Sequence, residues 1–340
     1  MTMNQSSPPL FTIFTPTYNR ANTLPRVYES LLKQTFQNFE WLIIDDGSKD
    51  ETQTLIQKWQ ADSPFPIRYL YQENQGKHIA FNRAVKEARG ELFSPLDSDD
   101  ACVPNALERL KQLWDEIPDK QRFTGVCVLC KDQEGRLVGK PFPQQKMDSD
   151  SCEMLYKYGL KGEKWGFHRT EVLREYPFPE IKKLKFIPES IIWHAIAKKY
   201  KIRFVNEILR IYYINDMNSV QNRTLEQNTL QDKTFEEKAF QEKNFQEKTL
   251  TASLSETHSR QARLIFYRWV LNNDINWIWN NPFAFLKYAF QYVRFSNEPI
   301  HVMFNVIYPS VSRILIMIIW LPAAIVRFCE RFFYAKQSPR

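Results

Sequence analysis

The sequence predicts an α/β fold with a mostly parallel sheet flanked by helices. Apolar segments alternate with amphipathic ones through the first hundred residues, as in chains whose parallel strands are joined by helical crossovers. Residues 41–44 are apolar throughout, which is typical of a parallel strand covered on both faces. Acidic clusters follow directly after two of the apolar segments, at residues 45–46 and 97–100. We therefore expect both groups of carboxylates at one edge of the sheet, where open α/β sheets bind their ligands.

The predicted strands and helices follow one another at short intervals. Amphipathic helices are expected between predicted strands at residues 10–15, 41–44, 67–71 and 92–96. Thr23 is expected to cap the first helix, and Ser48 with Glu51 to form a capping box for the second. Gly90 is expected to end the third helix.

The middle of the chain predicts further strands. Residues 123–139 indicate a strand, a turn at 134–135 and a returning strand, and residues 202–214 indicate a closing strand. Cys127 and Cys130 form a CxxC pair within the first of these strands. Because Val and Leu surround the pair and no second pair lies at zinc-site spacing, we expect core cysteines rather than a zinc or redox site.

Asp97, Asp99 and Asp100 place three carboxylates within four residues. Carboxylates this close repel one another, and a bound divalent cation removes that cost. Hard oxygen ligands of this kind suit Mg²⁺ or Mn²⁺ that also contacts substrate phosphates. The alternative is a polar turn whose Asp residues cap the next helix. An EF-hand calcium loop is excluded because Cys102 stands where that loop requires glycine.

Five motifs in the first hundred residues occur in the order and spacing of a known enzyme family. They are Thr-Pro-Thr-Tyr-Asn-Arg at 15–20, Gln-Thr-Phe at 34–36, Ile-Asp-Asp-Gly-Ser at 44–48, Asn-Gln-Gly-Lys at 74–77 with Asn82, and Leu-Asp-Ser-Asp-Asp at 96–100 with Pro104. In these motifs the chain resembles the family 2 glycosyltransferases, which are inverting enzymes of the GT-A fold. The resemblance continues more loosely to about residue 215. It implies a nucleotide-sugar donor, most often a UDP-sugar, and a hydroxyl acceptor.

The resemblance also implies a nucleotide site. Asp46 matches the family position that hydrogen-bonds the base, and Tyr18 lies where the base packs, in one segment with Pro16 and Thr17. A carboxylate is a suitable acceptor for an imide or amino N–H. The alternative for Asp46 is a turn that begins a helix, as it is for Asp45.

The same resemblance implies a site for the diphosphate. Asp99 matches the metal ligand, and Asp97 reaches the metal or the ribose, so that Mn²⁺ or Mg²⁺ is the expected cofactor. Lys77 is expected to meet the diphosphate as a point charge, with a solvated lysine as the alternative.

Residues of the acceptor side come from the second half of the chain. Inverting transfer requires a base that takes the proton of the acceptor hydroxyl. The family usually supplies an acidic pair before a helix, and here the pair is altered, which leaves Glu189 as the base and His194 as a weaker candidate. The alternative is an acid that only complements the helix dipole. Trp165 and His168 are weaker acceptor-site candidates, with a core tryptophan and a hydrogen-bonded loop histidine as the alternatives.

The composition changes after the predicted GT-A domain at residues 1–218. Residues 219–255 contain a five-residue repeat, which advances a helix by about 140° and keeps no single face apolar, so we expect a low-complexity insertion. Residues 256–340 contain ten Lys and Arg against four Asp and Glu, with 18 aromatic residues. The apolar run at 314–326 is shorter than the ~18–20 residues of a spanning helix, which favours helices lying on a membrane surface. A helical subdomain packed on the catalytic domain, or a dimer interface, is the alternative.

These patterns together predict a metal-dependent inverting glycosyltransferase acting on a polysaccharide, lipid-linked or other glycan acceptor. The first residues lack the pattern of a signal peptide, so we expect a cytoplasmic enzyme that is peripheral on the membrane. The altered acidic pair leaves an inactive nucleotide-binding membrane scaffold as an alternative. A sugar nucleotidyltransferase is disfavoured because the N-terminal segment has no Gly-rich loop. Nucleic-acid binding is not expected, because an acid-lined sheet edge repels phosphate without a metal.

Overall fold

The computed structural model of the protein describes residues 8–160, 162–180 and 187–214. The chain separates into two compact units, and residues 187–195 are the described part of the second unit. The predicted insertion at 219–255 and the predicted helical region at 256–340 lie outside the described residues. The boundaries proposed for those two regions therefore stay predictions.

Four parallel strands form the first half of the sheet. They lie side by side in the order β3-β2-β1-β4, with β1 at Phe11–Thr17, β2 at Phe39–Asp45, β3 at Ile67–Tyr71 and β4 at Leu92–Pro95. The connecting helices are α1 (Leu24–Leu32), α2 (Thr52–Asp62) and α3 (Lys77–Glu87). The predicted strands differ from these by at most two residues at either end.

The second half of the sheet has mixed strand directions. Its elements are β5 (Ala101–Cys102), α4 (Ala106–Asp115), β6 (Phe123–Asp132), β7 (Lys146–Ser149), α5 (Ser151–Tyr156), β8 (Lys164–Arg169), α6 (Thr170–Glu175), α7 (Ser190–Ala197) and β9 (Lys201–Tyr212). Strand β8 is antiparallel to β4 and β6, whereas β9 is parallel to β6 and antiparallel to β5 and β7. The α/β fold is confirmed, and the parallel arrangement holds for the first four strands rather than for the whole sheet.

Four local predictions are wrong. Thr23 precedes α1 but makes no side-chain cap, and α3 ends at Glu87 with Ala88 rather than Gly90 at its C-cap.

The returning strand expected up to residue 139 is reduced to an isolated bridge between Lys131 and Leu137. The capping box at the start of α2 does not form, because the helix begins only at Thr52 and Glu51 makes no side-chain cap. The Ser48 hydroxyl accepts a hydrogen bond from the backbone N–H of Asn19 at 2.8 Å instead. Ser48 therefore joins the ends of β1 and β2 rather than capping the helix.

The core lies on both faces of the parallel strands, which explains their continuous apolar character. On one face Trp41 packs against Tyr28 and Trp59 from the helices α1 and α2. On the other face Phe14 lies 5.4 Å from Phe93, ring centre to ring centre. Burial of such aromatic side chains contributes much of the stability of a fold of this kind. The packed sheet holds the strand ends in fixed positions.

The cysteines Cys127 and Cys130 lie in β6, where the apolar context predicted them. Cys130 is buried and Cys127 is half-buried. Burial raises the pKa of both thiols to about 12, so both are protonated at neutral pH.

Candidate active site

The carboxyl ends of β1, β2 and β4 meet at one edge of the sheet. The backbone N–H of Asp46 donates to the carbonyl of Thr17 at 2.8 Å, which fixes the end of β2 against the end of β1. The Thr15 hydroxyl donates to the carbonyl of Leu96 at 2.8 Å, which fixes the start of the acidic turn against β1. The structure therefore brings both acidic groups of the sequence to the same edge.

Asp46 anchors the loop that leads into α3. One oxygen of its carboxylate accepts hydrogen bonds from the Gln72 side chain at 2.8 Å and the Gln75 backbone at 2.9 Å. The other oxygen accepts the backbone N–H of Gly76 at 2.8 Å. An ionised carboxylate has about four acceptor positions, so capacity remains for one further N–H. The predicted contact of Asp46 with a nucleotide base stays a prediction, and the loop contacts are a role that the sequence did not indicate.

Asp45 stabilises the turn after β2. Its carboxylate accepts the backbone N–H of Ser48 at 2.8 Å and the hydroxyl of Tyr69 at 2.7 Å. Burial raises the pKa of Tyr69, and the charge of Asp45 raises it further. Asp45 therefore has a structural role in the turn, which was the alternative considered for this acidic pair.

The segment at the end of β1 presents one aromatic ring to solvent. Pro16 and Thr17 are the last residues of β1, and Tyr18 follows with 37% of its surface exposed. The next residue, Asn19, has a φ of +52° and accepts the backbone N–H of Lys49 with its side chain at 2.8 Å. This hydrogen bond supports the left-handed turn that follows the exposed ring.

Asp97 lies between two positive charges. One carboxylate oxygen is 2.9 Å from the Lys77 ammonium, and the other accepts a hydrogen bond from Arg210 at 3.1 Å. Burial by itself raises the pKa of Asp97, but the charges of Lys77 and Arg210 outweigh burial and hold the pKa well below its usual range. Asp97 is therefore ionised at neutral pH.

Asp99 has weaker compensation. Its carboxylate lies 3.4 Å from the Arg20 guanidinium, and the Arg26 side chain donates to its backbone carbonyl at 3.3 Å. Burial and the charge of Asp97 raise the pKa of Asp99, and Arg20 opposes them. A carboxylate in this position gains from any additional cation.

Arg210 is a site residue that the sequence did not predict. It lies in β9 and binds the carboxylate of Asp100 through two nitrogens, one of them at 2.9 Å. The other oxygen of Asp100 accepts the backbone N–H of Tyr213 at 3.0 Å. Burial raises the pKa of Asp100, and Arg210 opposes the rise. A lone Arg within the apolar segment 208–213 was the available signal, because a buried charge requires a partner.

Comparison with known proteins identifies the type of domain. Residues 12–138 match the family described as glycosyl transferase family 2. The chain contains a family 2 glycosyltransferase domain. The matched residues include β1, β2, β4 and the strand-end carboxylates described above.

Relatives with similar sequences are also glycosyltransferases. A glycosyltransferase of Rickettsia prowazekii is 29% identical over 232 residues, which are 64% of this chain and 69% of the relative. The GalNAc(5)-diNAcBac-PP-undecaprenol beta-1,3-glucosyltransferase of Campylobacter jejuni is 29% identical over 219 residues, which are 62% of this chain and 67% of the relative. The chain spans about two thirds of the length of each.

The fold is similar to that of TarS from S. aureus. The structure of TarS 1–349 in complex with UDP-GlcNAc aligns with a TM-score of 0.54 and 20% sequence identity, covering 97% of this chain and 93% of the TarS chain. This chain covers 54% of the length of a longer TarS structure. At this level of identity the comparison shows the shared fold.

The acidic turn of the family 2 domain has the donor chemistry of a divalent cation site. Asp99 supplies a carboxylate whose pKa is raised by burial and by Asp97, so a cation there would relieve the crowding. Both oxygens of Asp97 already contact positive side chains. Within the described part of the chain, no group of three or more His, Cys, Asp or Glu residues is arranged to hold a metal. The fit to a cation rests on Asp99, whose carboxylate is less compensated than that of Asp97.

Trp165 lies in the hydrophobic core beside the sheet. Only 4% of its surface is exposed, and its indole N–H donates to the carbonyl of Pro95 at 2.7 Å. The core tryptophan considered as the alternative describes this residue. The ring shapes the end of β4 and offers no open face to a sugar.

His168 lies within β8 rather than in a loop. Its Nδ1 is 3.0 Å from the Thr124 hydroxyl, and the residue pairs with Phe93 of β4 and Gly125 of β6. Burial lowers the pKa of His168 to about 4, so the imidazole is neutral at pH 7. The hydrogen-bonded histidine considered as the alternative describes this residue.

Glu189 belongs to the second compact unit. It directly precedes α7, and its backbone carbonyl accepts the N–H groups of Ile192 and Trp193 at 3.1 and 3.3 Å. Glu189 is therefore at the N-cap position of α7. This position is compatible with a catalytic base and with an acid that only complements the helix dipole. The role of Glu189 as the base stays a prediction.

Proposed function

We propose that the protein transfers a sugar from a UDP-sugar to a hydroxyl group of a glycan or lipid-linked acceptor, with inversion and with the help of a divalent cation. The observation that supports this proposal most directly is the convergence of Tyr18, Asp46, Asp97 and Asp99 at one sheet edge. An exposed aromatic ring and an anchored carboxylate suit a nucleotide base. Carboxylates next to basic side chains suit a metal-bound diphosphate.

Two polar atoms at the end of β1 support a ligand at this edge. The Thr17 hydroxyl is buried and has no hydrogen-bond partner among the described residues. The buried Nη1 of Arg20 makes no hydrogen bond there either, although it forms an ion pair with Asp99 at 3.4 Å. Buried polar groups are normally paired, and a bound ligand is one way to pair them. Thr17 precedes Tyr18, and Arg20 lies 3.4 Å from Asp99, so both would lie between the proposed base site and the proposed diphosphate site.

The donor nucleotide is proposed from the structural relatives. TarS structures hold UDP in one case and UDP-GlcNAc in another. In this chain Asp46 would accept an N–H of the uracil, Tyr18 would pack on its face, and Asp97 would reach the ribose or the metal. Lys77 would carry positive charge to the diphosphate.

A divalent cation at Asp99 and Asp97 would neutralise the departing nucleoside diphosphate. The chain's own contribution is to fix the ligands and to supply further positive charge. Arg210 holds Asp97 in place, and Arg20 lies beside Asp99. These charges would act where negative charge develops during transfer, which is the most effective place for electrostatic stabilisation.

The acceptor hydroxyl requires a base, and Glu189 is the residue we propose. A carboxylate at the start of a helix can take the hydroxyl proton as the oxygen attacks the anomeric carbon. Direct displacement of this kind inverts the configuration and needs no covalent intermediate. The opposing hypothesis assigns Glu189 only to the helix terminus.

The acceptor is proposed from a relative and from composition. The Campylobacter jejuni relative is named for an undecaprenol-linked acceptor. Residues 256–340 of this chain are basic and aromatic, which suits a membrane surface carrying such an acceptor. Among the described residues, no helix has the length and apolar character needed to cross a bilayer. From the composition of residues 256–340 we propose a peripheral enzyme on the cytoplasmic face of the membrane.

Calorimetric titration with UDP, GDP and dTDP, with and without Mn²⁺, tests the donor site. We expect one nucleotide, UDP, to bind in a Mn²⁺-dependent manner to the wild type and at least about tenfold more weakly to Asp99→Asn, which loses a charged ligand. Asp62→Asn is the matched control, since Asp62 is exposed at the end of α2. Folded wild-type protein that binds none of these nucleotides would contradict the proposal.

A further inference from the structure

The acidic turn is already neutralised by basic side chains of the chain. Asp97, Asp99 and Asp100 contribute three carboxylates, and each lies within 3.4 Å of a positive group. The positive groups are Arg20, Lys77 and Arg210, and Arg26 adds a further charge at the carbonyl of Asp99. A divalent cation that arrives alone therefore meets a cluster without excess negative charge.

Lys77 is the most exposed of these basic side chains. It ends in an ammonium group, whereas the other three end in a planar guanidinium. Its side chain is 45% exposed, whereas that of Arg210 is 5% exposed and bound to both Asp97 and Asp100. Arg210 cannot leave without uncovering a buried carboxylate. Lys77 can leave Asp97 by rotation of its stem into solvent, because an ammonium is a compact and strongly hydrated charge.

The position of Lys77 also suits a second partner. It is the first residue of α3 and follows Gly76, whose backbone N–H binds Asp46 of the proposed base site. The residue therefore lies between the carboxylate proposed to bind the base and the carboxylates proposed to bind the metal. A diphosphate that joins these two sites passes within reach of the lysine stem.

We propose that Lys77 is an internal counter-ion, which occupies the cation position at Asp97 in the free protein and moves to the diphosphate when metal and nucleotide bind together. This inference rests on the proposed function, since it takes the nucleoside diphosphate and the divalent cation from it. Exchange of the lysine for the metal couples the two ligands, because each is favoured by the presence of the other. A metal that arrives together with the diphosphate would therefore bind more tightly than a metal that arrives alone.

Replacement of Lys77 has opposite effects on the two ligands. Without the lysine, Asp97 offers an uncompensated oxygen, so Mn²⁺ alone binds more tightly. The diphosphate loses a positive partner, so UDP in the presence of Mn²⁺ binds more weakly. A lysine that is only solvated, or that contacts only the diphosphate, produces no gain in affinity for Mn²⁺ alone.

The test is a titration of Mn²⁺ without nucleotide, in which electron paramagnetic resonance measures the free ion, on full-length wild type and Lys77→Met. Calorimetry with UDP at saturating Mn²⁺ gives the second affinity. Lys77→Arg is the charge-preserving variant, and Lys86→Met is the matched control, because Lys86 is exposed on the same helix. Circular dichroism confirms that each variant is folded.

We expect Mn²⁺ alone to bind Lys77→Met at least about fivefold more tightly than wild type, and UDP with Mn²⁺ to bind about five- to tenfold more weakly. Lys77→Arg and Lys86→Met should keep the wild-type affinity for Mn²⁺ alone. Normal UDP binding by the wild type, together with an unchanged or weaker Mn²⁺ affinity of Lys77→Met, overturns this inference and leaves the proposed function standing. Failure of the wild type to bind UDP in Mn²⁺ overturns both.

Discussion

Arg210 and Asp100 form a buried ion pair that ties the last strand of the sheet to the acidic turn. The guanidinium Nε donates to the carboxylate at 2.9 Å, and 5% of the arginine side chain and 1% of the aspartate side chain are exposed. The backbone N–H of Tyr213 occupies the other carboxylate oxygen. The pair therefore fixes the C-terminal end of the turn that carries Asp97 and Asp99.

Removal of the arginine should destabilise the protein strongly. Arg210→Met leaves the Asp100 carboxylate buried without its partner, and such changes cost about 3–5 kcal/mol in the free energy of unfolding. Denaturation by urea, followed by circular dichroism, measures the loss. The exposed pair of Lys111 with Asp115 offers a control, and Lys111→Ala should change the same free energy by less than about 1 kcal/mol.

A double variant separates charge from packing. Arg210→Met combined with Asp100→Leu removes both charges from the interior, and we expect it to recover most of the stability lost by the single variant. A double variant as unstable as Arg210→Met would show that lost packing, rather than an uncompensated carboxylate, causes the destabilisation.

Asp46 should act on nucleotide binding through the loop that it anchors as well as directly. Asp46→Asn replaces one acceptor oxygen by an N–H₂ group, which cannot accept from the backbone of Gln75 or Gly76. We expect faster amide hydrogen exchange at residues 75 and 76 in the free protein, and roughly tenfold weaker UDP binding in Mn²⁺. Hydrogen exchange read by mass spectrometry and calorimetry are the two measurements, with Asp62→Asn as the control.

The two readouts distinguish the roles of Asp46. Weaker UDP binding with unchanged exchange in the loop would mean that the carboxylate acts on the base alone. Faster exchange with unchanged UDP binding would remove Asp46 from the proposed nucleotide site.

Local patterns predicted the first half of the fold and the position of the site. The continuous apolar strand at 41–44 and the regular strand–helix alternation follow from burial on both faces, which acts within each segment. The placement of Asp46 and Asp97 at one edge of the sheet follows from parallel strands whose ends share that edge. Both inferences use the sequence within one element, or between neighbouring elements.

The missed features depend on contacts that no local pattern encodes. Arg210 and Asp100 are separated by 110 positions, and the antiparallel pairing of β9 with β5 brings them together. The core position of Trp165 depends on the packing of β8 beside β4. The wrong capping box at Ser48 has the same origin, because the hydroxyl binds Asn19 across two strand ends. Tertiary contacts overrode a local preference at each of these positions.

His168 is a neutral histidine between two strands, and it should make stability depend on pH. Burial lowers its pKa from the ordinary value of 6.5 to about 4 in the folded protein. Between these two values the unfolded chain binds a proton at this histidine and the folded chain does not, so stability falls as the pH is lowered through this window. Above pH 6.5 both states are neutral at this position, and the contribution is constant.

Replacement of the imidazole should remove this part of the pH dependence. His168→Gln retains a polar group beside the Thr124 hydroxyl but cannot titrate. We expect the difference in the free energy of unfolding between pH 7.5 and pH 5 to be smaller in the variant than in the wild type, although carboxylates contribute to the slope in both. Equal differences in the two proteins would contradict a half-buried, neutral His168. A protonated imidazole in the folded state would then have to be paired between β4 and β6, which would restore the histidine as a candidate for proton transfer.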